Sequence, residues 1–450
     1  MLKNYLELIN DYLKPSTTEK KMMAEVFTPL DGKGGVREQL ALLDKDFWKN
    51  KYAKVLDCST GIGNYPIVLI ENFMEGLKDE IIDEGERLKW ILEEILYMVE
   101  LQPKNVFILL MLLDPNDEYK LNIHKGDFLQ FDPVKEFGIK EFDLVCSNPP
   151  YQSSDGAGGK GSSAGALYNS FVERSIEISK KVIMITPSRW FIGGKGLDKF
   201  RKMMLGRNDI KYINHFKGNG SDIFGKGVDI KGGVSYFLID KEYDGILNLN
   251  NKPIDKSKLD ILLNDPLHYD IIDKIKKRHK GKYFNSIVHS RNFYGKIING
   301  SKSLQNGKHC VDEKLDENYL KCYVSKAEGF EKWIHKDYIK NDYDNYKILT
   351  TKGTNVGKMG NTFISKPGEV CTETYLVIDC LNAEDANNKL KYINTNLFKY
   401  LFSIINNTQN ASKETFRLIP ILDISADEEI YEYFNFNITE IYFIENYFYI

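Results

Sequence analysis

At 450 residues the chain is long enough for two or three domains of roughly 100–200 residues each, and it is not a small stapled module. Hydrophobic residues at 42%, charged residues at 28% and a formal net charge of −3 exclude global disorder, and they argue neither for nor against a nucleic-acid partner. The longest apolar run, Val106 to Leu113, is far short of the ~20 residues that cross a bilayer, and Glu7 and Asp11 interrupt the apolar start, so neither a membrane span nor a secretory leader is expected. Cys58, Cys146, Cys310, Cys322, Cys371 and Cys380 form no Cys-x-x-Cys pair and the histidines no ligand spacing, which predicts reduced thiols, a cytoplasmic setting and no metal.

In chain order, Lys54 to Asp57 reads as an apolar strand ending at a turn, Ile67 to Leu77 as a helix, and Leu88 to Val99 as a helix running into a short strand near Tyr97 to Glu100. Lys104 to Leu113 reads as helix, while Leu121 to His124 and Phe142 to Ser147 read as strands. Gln152 to Ala166, rich in Gly, Ser and Ala, reads as a mobile loop. Tyr168 to Ser179 is helical in spacing, and Val182 to Thr186 and Gly233 to Ile239 are buried strands. This alternation predicts a doubly wound α/β sheet of Rossmann type over residues 1–245. The Asn, Lys and Asp cluster between Pro253 and Pro266 marks residues 246–265 as a linker. Residues 266–450 then read as an α+β domain, with short strands at Tyr346 to Thr351 and Thr374 to Ile378 and one helical stretch from Ala383 to Ile405.

Asn148-Pro149-Pro150-Tyr151 directly follows the strand Phe142 to Ser147. Two prolines stop the strand and stiffen the chain just past a carboxyl strand end, where open α/β sheets bind ligands. The Asn148 side-chain carbonyl and the Pro149 backbone carbonyl can both accept hydrogen bonds from one planar amine, and Tyr151 offers a ring for stacking. Val55 to Asn64 places Asp57 before the turn glycines Gly61 and Gly63. An acid there would repel a pyrophosphate and would suit the ammonium of an amino-acid moiety. Glu100, at the next strand end, suits two ribose hydroxyls, and Asp127-Phe128 suits an adenine amine with an apolar face beside it. Each feature alone also fits a bland reading: a strand-ending turn, a tight βα turn, a solvated acid. Their order at four successive strand ends is what argues for one site.

These residues resemble the motifs of S-adenosylmethionine-dependent amino-methyltransferases acting on adenine in DNA. Glu25-Val26-Phe27-Thr28-Pro29, ahead of the glycine turn, resembles the methionine-side motif of the gamma arrangement, in which target recognition comes last. The sequence is most similar to the Eco57I-like restriction-modification methylases, through Asn148 to Gln152, the Gly/Ser loop, Leu167 to Phe171, Ile185 to Trp190 and Gly232 to Phe237. A weaker echo runs from Tyr392 to Pro420, with Gln409, Ser412 and Lys413. The cofactor loop departs from the family's Asp-Pro-x-Cys-Gly-x-Gly in reading Asp-Cys-Ser-Thr-Gly-Ile-Gly, with the acid and both glycines kept.

The resemblance implies S-adenosyl-L-methionine held by Phe27, Thr28, Pro29, Asp57, Gly61, Gly63, Glu100, Asp127 and Phe128, with Asn148, Pro149, Pro150 and Tyr151 as catalytic residues. It implies duplex DNA as substrate and a flipped adenine stacked by Tyr151, with Phe224, shortly before the Gly232 to Ile239 strand, the candidate for the other face. No nuclease signature is placed in the sequence and 450 residues leave little room for one, so the chain reads as a stand-alone modification enzyme, and any restriction endonuclease would be a separate protein. Ten cations against Asp273 alone mark Ile271 to Lys308, with aromatic residues interleaved, which points to DNA binding through Lys276, Lys277, Arg278, Lys280, Lys282 and Arg291. Asp423 to Ile450 has seven acids and no Lys or Arg. Three readings compete: methylation of a protein glutamine amide, methylation of a cytosine amine, and a catalytically idle DNA-binding subunit that keeps the fold.

Overall fold

In this computed structural model the described residues are 27–152, 165–193, 196–217, 220–225, 228, 230, 232–255, 260–295, 310–353, 357–406 and 410–447. The chain divides into two compact units, one running to Pro266 and the other starting at Leu267. The expected loop lies mostly outside the described residues, as do Glu25, Val26, Lys296, Lys302, Lys308 and Gln409. Among the described residues no helix is long and apolar enough to cross a membrane, and all six cysteines are buried.

The first unit is built on nine strands: β1 (Val55–Asp57), β2 (Leu96–Glu100), β3 (Asn122–Lys125), β4 (Phe142–Ser147), β5 (Ser179–Pro187), β6 (Ile210–Phe216), β7 (Val234–Asp240), β8 (Leu247–Leu249) and β9 (Lys252–Ile254). They lie in the order β3-β2-β1-β4-β5-β7-β6-β8-β9. β1 to β5 run parallel, and β7 enters antiparallel between β5 and β6. The order reverses between β1 and β4. In an open α/β sheet that reversal opens a crevice beyond the carboxyl ends of the two strands, because the chain leaves them in opposite directions.

Central strands buried on both faces need continuous apolar runs, and Leu96 to Glu100 and Val182 to Thr186 supply them. Their side chains join those of the helices Asn64–Gly76 and Pro103–Leu113 in one core that includes Val55, Met98, Leu144, Ile183, Ile67, Phe73 and Leu109. One turn of π-helix, Ile91–Ile95, delivers the chain from the helix Glu84–Trp90 into β2.

Two sequence expectations change. Residues 246–265 are not simply a linker, because β8 and β9 extend the sheet from β6 as a hairpin. The Asn-rich composition is the turn itself: Asn250 and Asn251 both take positive φ, as a two-residue hairpin loop demands. The helical stretch Ala383 to Ile405 is two helices, Ala383–Ile393 and Asn396–Ile405, because the Thr395 hydroxyl accepts the Phe398 amide and starts a new helix.

The second unit is α+β. One sheet has the order β10 (Val288–His289), β17 (Tyr375–Asp379), β14 (Lys347–Thr351), β15 (Thr362–Ser365). The other has the order β11 (Cys310–Val311), β13 (Glu331–His335), β12 (Tyr319–Tyr323), β16 (Glu369–Cys371). Besides the pair after Asp379, its helices are Pro266–Arg278, Asp427–Phe434 and Ile438–Asn446.

Candidate active site

Asp57 closes β1 at the sheet's reversal point and is fully buried. Burial pushes its carboxyl up to about 7; the Ser147 hydroxyl and the Ser59 amide pull it partly back, and the Glu100 charge adds to the rise. Ser147 Oγ donates to Asp57 Oδ1 at 2.8 Å, and Ser59 Oγ lies 2.7 Å from Ser147 Oγ and donates to the Asn148 carbonyl at 3.0 Å. This network ties the end of β1 to the end of β4. Asp57 Oδ2 is shielded from water with no hydrogen-bond partner. A buried acceptor left over in this way fits a cationic ligand group, since leaving it unmet costs free energy.

Gly61 and Gly63 both adopt positive φ, and a Cβ on Gly61 would stand 2.9 Å from the Phe27 ring. This loop therefore needs glycine for its backbone shape and for the close approach of Phe27. Asn64 Nδ2 donates to the Thr28 carbonyl at 2.6 Å, which seats Phe27-Thr28-Pro29 against this loop. Glu100 is buried at the end of β2; its Oε2 accepts the Gly61 amide and its Oε1 the Gln102 amide, both at 2.7 Å. Backbone donors on both oxygens, with the Asn105 side-chain amide 3.4 Å from Oε1, fix this carboxylate beside the glycine turn, and a carboxylate oxygen can accept more than one hydrogen bond.

Asp127 is half-buried and caps the short helix Phe128–Gln130 by accepting the Leu129 amide at 3.0 Å. Phe128 departs from expectation. It is buried, with its ring 5.3 Å from that of Phe171 and 6.3 Å from that of Phe131, so its flat face belongs to the core.

Past β4, Pro149 is buried, Pro150 exposed, and Asn148 and Tyr151 half-buried, with Asn148 Oδ1 shielded from water. The Tyr151 hydroxyl is buried without a hydrogen bond. The structure brings Phe224 to Tyr151, with ring centroids 6.3 Å apart and planes at 64°. That is an edge-to-face contact, so a flat base enters between the rings only if one of them turns.

In the second unit Lys276, Lys277, Arg278, Lys280, Lys282 and Arg291 are all exposed. The charge segregation seen along the sequence does not persist in space. Lys274 donates to Glu440 at 2.7 Å and to the Asn435 carbonyl at 3.0 Å, Arg278 lies over the Tyr433 ring, and Lys277 pairs with Asp273. The acidic end of the chain thus flanks the basic helix.

Residues 70–224 match the Eco57I restriction-modification methylase family. An uncharacterized adenine-specific methylase of Mycoplasma pneumoniae is 38% identical over 128 residues, which is 27% of this chain and 29% of that protein, so the match spans less than a third of the relative's length. Two DNA-bound enzymes share the fold. The ATP-dependent Type ISP restriction-modification enzyme LlaBIII has a TM-score of 0.52 at 13% identity, over 95% of this chain and 40% of its own. The Type IIL restriction-modification enzyme MmeI has a TM-score of 0.50 at 10% identity, over 92% of this chain and 66% of its own.

Within the matched stretch, two contributors escaped sequence reasoning. Ser147 looked like the last residue of an apolar strand, yet its hydroxyl donates to Asp57 and accepts the Ser59 amide at 3.1 Å, next to the Ser59 hydroxyl that holds the Asn148 carbonyl. A polar residue directly before Asn148 at a strand end was the available signal. Tyr168 is buried edge-on to Tyr151 with its own hydroxyl unpartnered, and it read only as a helical core position.

Proposed function

We propose that this chain is an S-adenosylmethionine-dependent DNA methyltransferase that methylates the exocyclic amine of adenine flipped out of duplex DNA. The observation that carries the reading is the Asp57–Ser147–Ser59–Asn148 network at the sheet's reversal point, which ties the buried Asp57 carboxylate to the backbone of Asn148. Asp57 takes the ammonium of the methyl donor, Glu100 its ribose hydroxyls and Asp127 its adenine amine, with Phe27, Thr28 and Pro29 on the methionine side. When bound, the donor supplies a methyl group already activated on its sulfonium.

The adenine amine is a poor nucleophile because its lone pair is delocalised into the ring. Asn148 Oδ1 and the Pro149 carbonyl, accepting its two hydrogens, favour a pyramidal nitrogen and stabilise the positive charge that grows there. As the N–C bond forms and the S–C bond breaks, the amine releases one proton to water. Tyr151 and Phe224 hold the base, which must leave the helix because its amine is occupied in the base pair. The exposed cations of the second unit favour a nucleic-acid substrate over a protein glutamine amide. The setting would be cytoplasmic, and any matching restriction endonuclease would be a separate protein.

The test is transfer of labelled methyl groups to unmethylated duplex DNA, followed by identification of the modified base. N6-methyladenine with the wild-type chain and none with Asn148→Ala is the expected result. Methylated cytosine, or label only on protein, would overturn it.

A further inference from the structure

The segment between Pro29 and Val36 carries none of the roles assigned above, yet it is tied to both halves of the site. It closes on itself through the Val36 amide to the Pro29 carbonyl (2.9 Å) and the Gly35 amide to the Gly32 carbonyl (3.0 Å). Gly34 is buried at its turn, with φ at +71°. Both polar groups of Gly34 are held by side chains of the following helix, Val36–Leu40: its N–H donates to Glu38 Oε2 at 2.7 Å, and its carbonyl accepts Gln39 Nε2 at 2.8 Å.

Each of these side chains has a second hold. Glu38 Oε1 accepts the Tyr236 hydroxyl of β7 at 2.7 Å, and Gln39 Oε1 accepts the Tyr65 hydroxyl at 2.6 Å. Tyr65 follows Asn64, whose amide holds Thr28. On its outer side Gly34 receives Ile223: a Cβ there would be 2.9 Å from Ile223 Cδ1 and 3.3 Å from the Phe216 ring. Ile223 directly precedes Phe224, the ring that meets Tyr151.

We propose that Glu38 and Gln39 are positioning residues that clamp the Gly34 peptide as a seat for Ile223, and so set where Phe224 stands against Tyr151. A two-ended clamp does this where one hydrogen bond would not, because Glu38 and Gln39 each join the seat to a rigid element, β7 and the helix Asn64–Gly76 respectively. Glycine is required at the seat, since any side chain would be strained at this φ and would push Ile223 outward. The arrangement links the donor-side segment Phe27–Pro29 to the wall of the base site without touching either ligand. The inference rests on the methyltransferase reading only for its kinetic consequence.

The test uses the full chain, ¹³C-labelled at isoleucine δ-methyls, with Gly34→Ala, Glu38→Ala, Gln39→Ala and Tyr236→Phe, and Glu86→Ala, exposed on the helix Glu84–Trp90, as a surface-charge control. The Ile223 methyl resonance, which senses the neighbouring rings, should move in the four variants and stay in the control. Methyl transfer to unmethylated DNA of mixed sequence should fall at least about tenfold in kcat for Glu38→Ala, which removes two hydrogen bonds to a charged group, the Gly34 amide's and the Tyr236 hydroxyl's. Affinity for S-adenosylhomocysteine should stay within about twofold, and Glu38→Gln, which keeps one acceptor, should recover part of the rate. A purely structural role would lower the melting temperature while leaving the Ile223 resonance and the kcat of the folded protein unchanged, and that result would overturn the proposal. If Ile223 moves but the wild-type chain methylates no DNA, the functional reading fails and the clamp stands.

Discussion

The two regions assigned to chemistry and to DNA differ in how their charges are used. At the end of β1 Asp57 is buried with one oxygen unmet; its hydrogen-bond partners are the neutral Ser147 hydroxyl and Ser59 amide, and the buried Glu100 is the charge that acts on it. On the helix Pro266–Arg278 the charges are many and mostly exposed, and several are answered by Glu440, Asp273 or the Tyr433 ring. A buried charge in low dielectric acts strongly on whatever enters, while an exposed one is screened and counts only in numbers. Substitutions in the first region should therefore have large, specific effects, and those in the second small, additive and salt-dependent ones.

The largest effect is expected at Asn148. Replacing it by alanine should lower kcat for methyl transfer by at least ~10²–10³, the range for losing one preorganised polar group at a transition state, with S-adenosylhomocysteine affinity largely intact by calorimetry. Near-normal transfer would remove Asn148 from the chemistry.

Next comes the pH dependence of Asp57. Its carboxyl titrates near 7 in the fold against an ordinary 3.8, so between those values the folded chain holds a proton that the unfolded chain has lost. Stability of the ligand-free protein should accordingly fall as pH rises through that window, by at most roughly 4 kcal/mol, and Asp57→Asn should remove the fall. Donor binding has the opposite slope. An ammonium beside Asp57 favours the ionised form, so affinity for S-adenosylhomocysteine should rise with pH from about 6 to 8 in the wild type and stay flat in Asp57→Asn. A flat wild-type profile would separate Asp57 from the ligand's ammonium.

What could be read in advance follows the same division between local and distant causes. Strands β1 to β5 and the motif at each end were legible because glycine and proline punctuate them locally, as at Gly61, Gly63 and Pro149-Pro150. β6 was not, since Ile210–Phe216 carries Lys, Asn and His among its apolar positions and is a strand only because β7 and β8 pair with it. The burial of Phe128 depends on Phe171, 43 residues on, and the pairing of Lys274 on Glu440, 166 residues away. Motif spacing carries no information about either. The Tyr151–Phe224 contact was legible only as a pair of residues, and its edge-to-face angle is set by packing.

Glu100→Ala should act on binding more than on turnover. A ribose contact is made alike in ground and transition states, so the donor's dissociation constant should rise about tenfold while kcat at saturation changes little. Because the Glu100 carboxylate also holds the Gly61 and Gln102 amides, Glu100→Gln should recover part of the affinity. An unchanged dissociation constant for Glu100→Ala would make it only a brace for the glycine loop.

The smallest effects belong to the basic helix and the residues just past its end, and the structure divides their cations into two groups. Lys277 and Arg278 already have partners in Asp273 and the Tyr433 ring, whereas Lys276, Lys280 and Lys282 are exposed with no ion pair among the described residues. A cation that contacts phosphate releases condensed counterions, and each such contact steepens the dependence of log affinity on log salt by about 0.9. Replacing Lys276, Lys280 and Lys282 together by alanine should flatten the slope for duplex DNA by about 2–3, while replacing Lys277 and Arg278 should flatten it by less than about 1. The comparison needs only binding isotherms at several salt concentrations, with melting temperatures to verify that both variants fold. Equal slopes for both variants and the wild type would show that this helix contributes solubility, and that the cations meeting DNA lie elsewhere in the second unit.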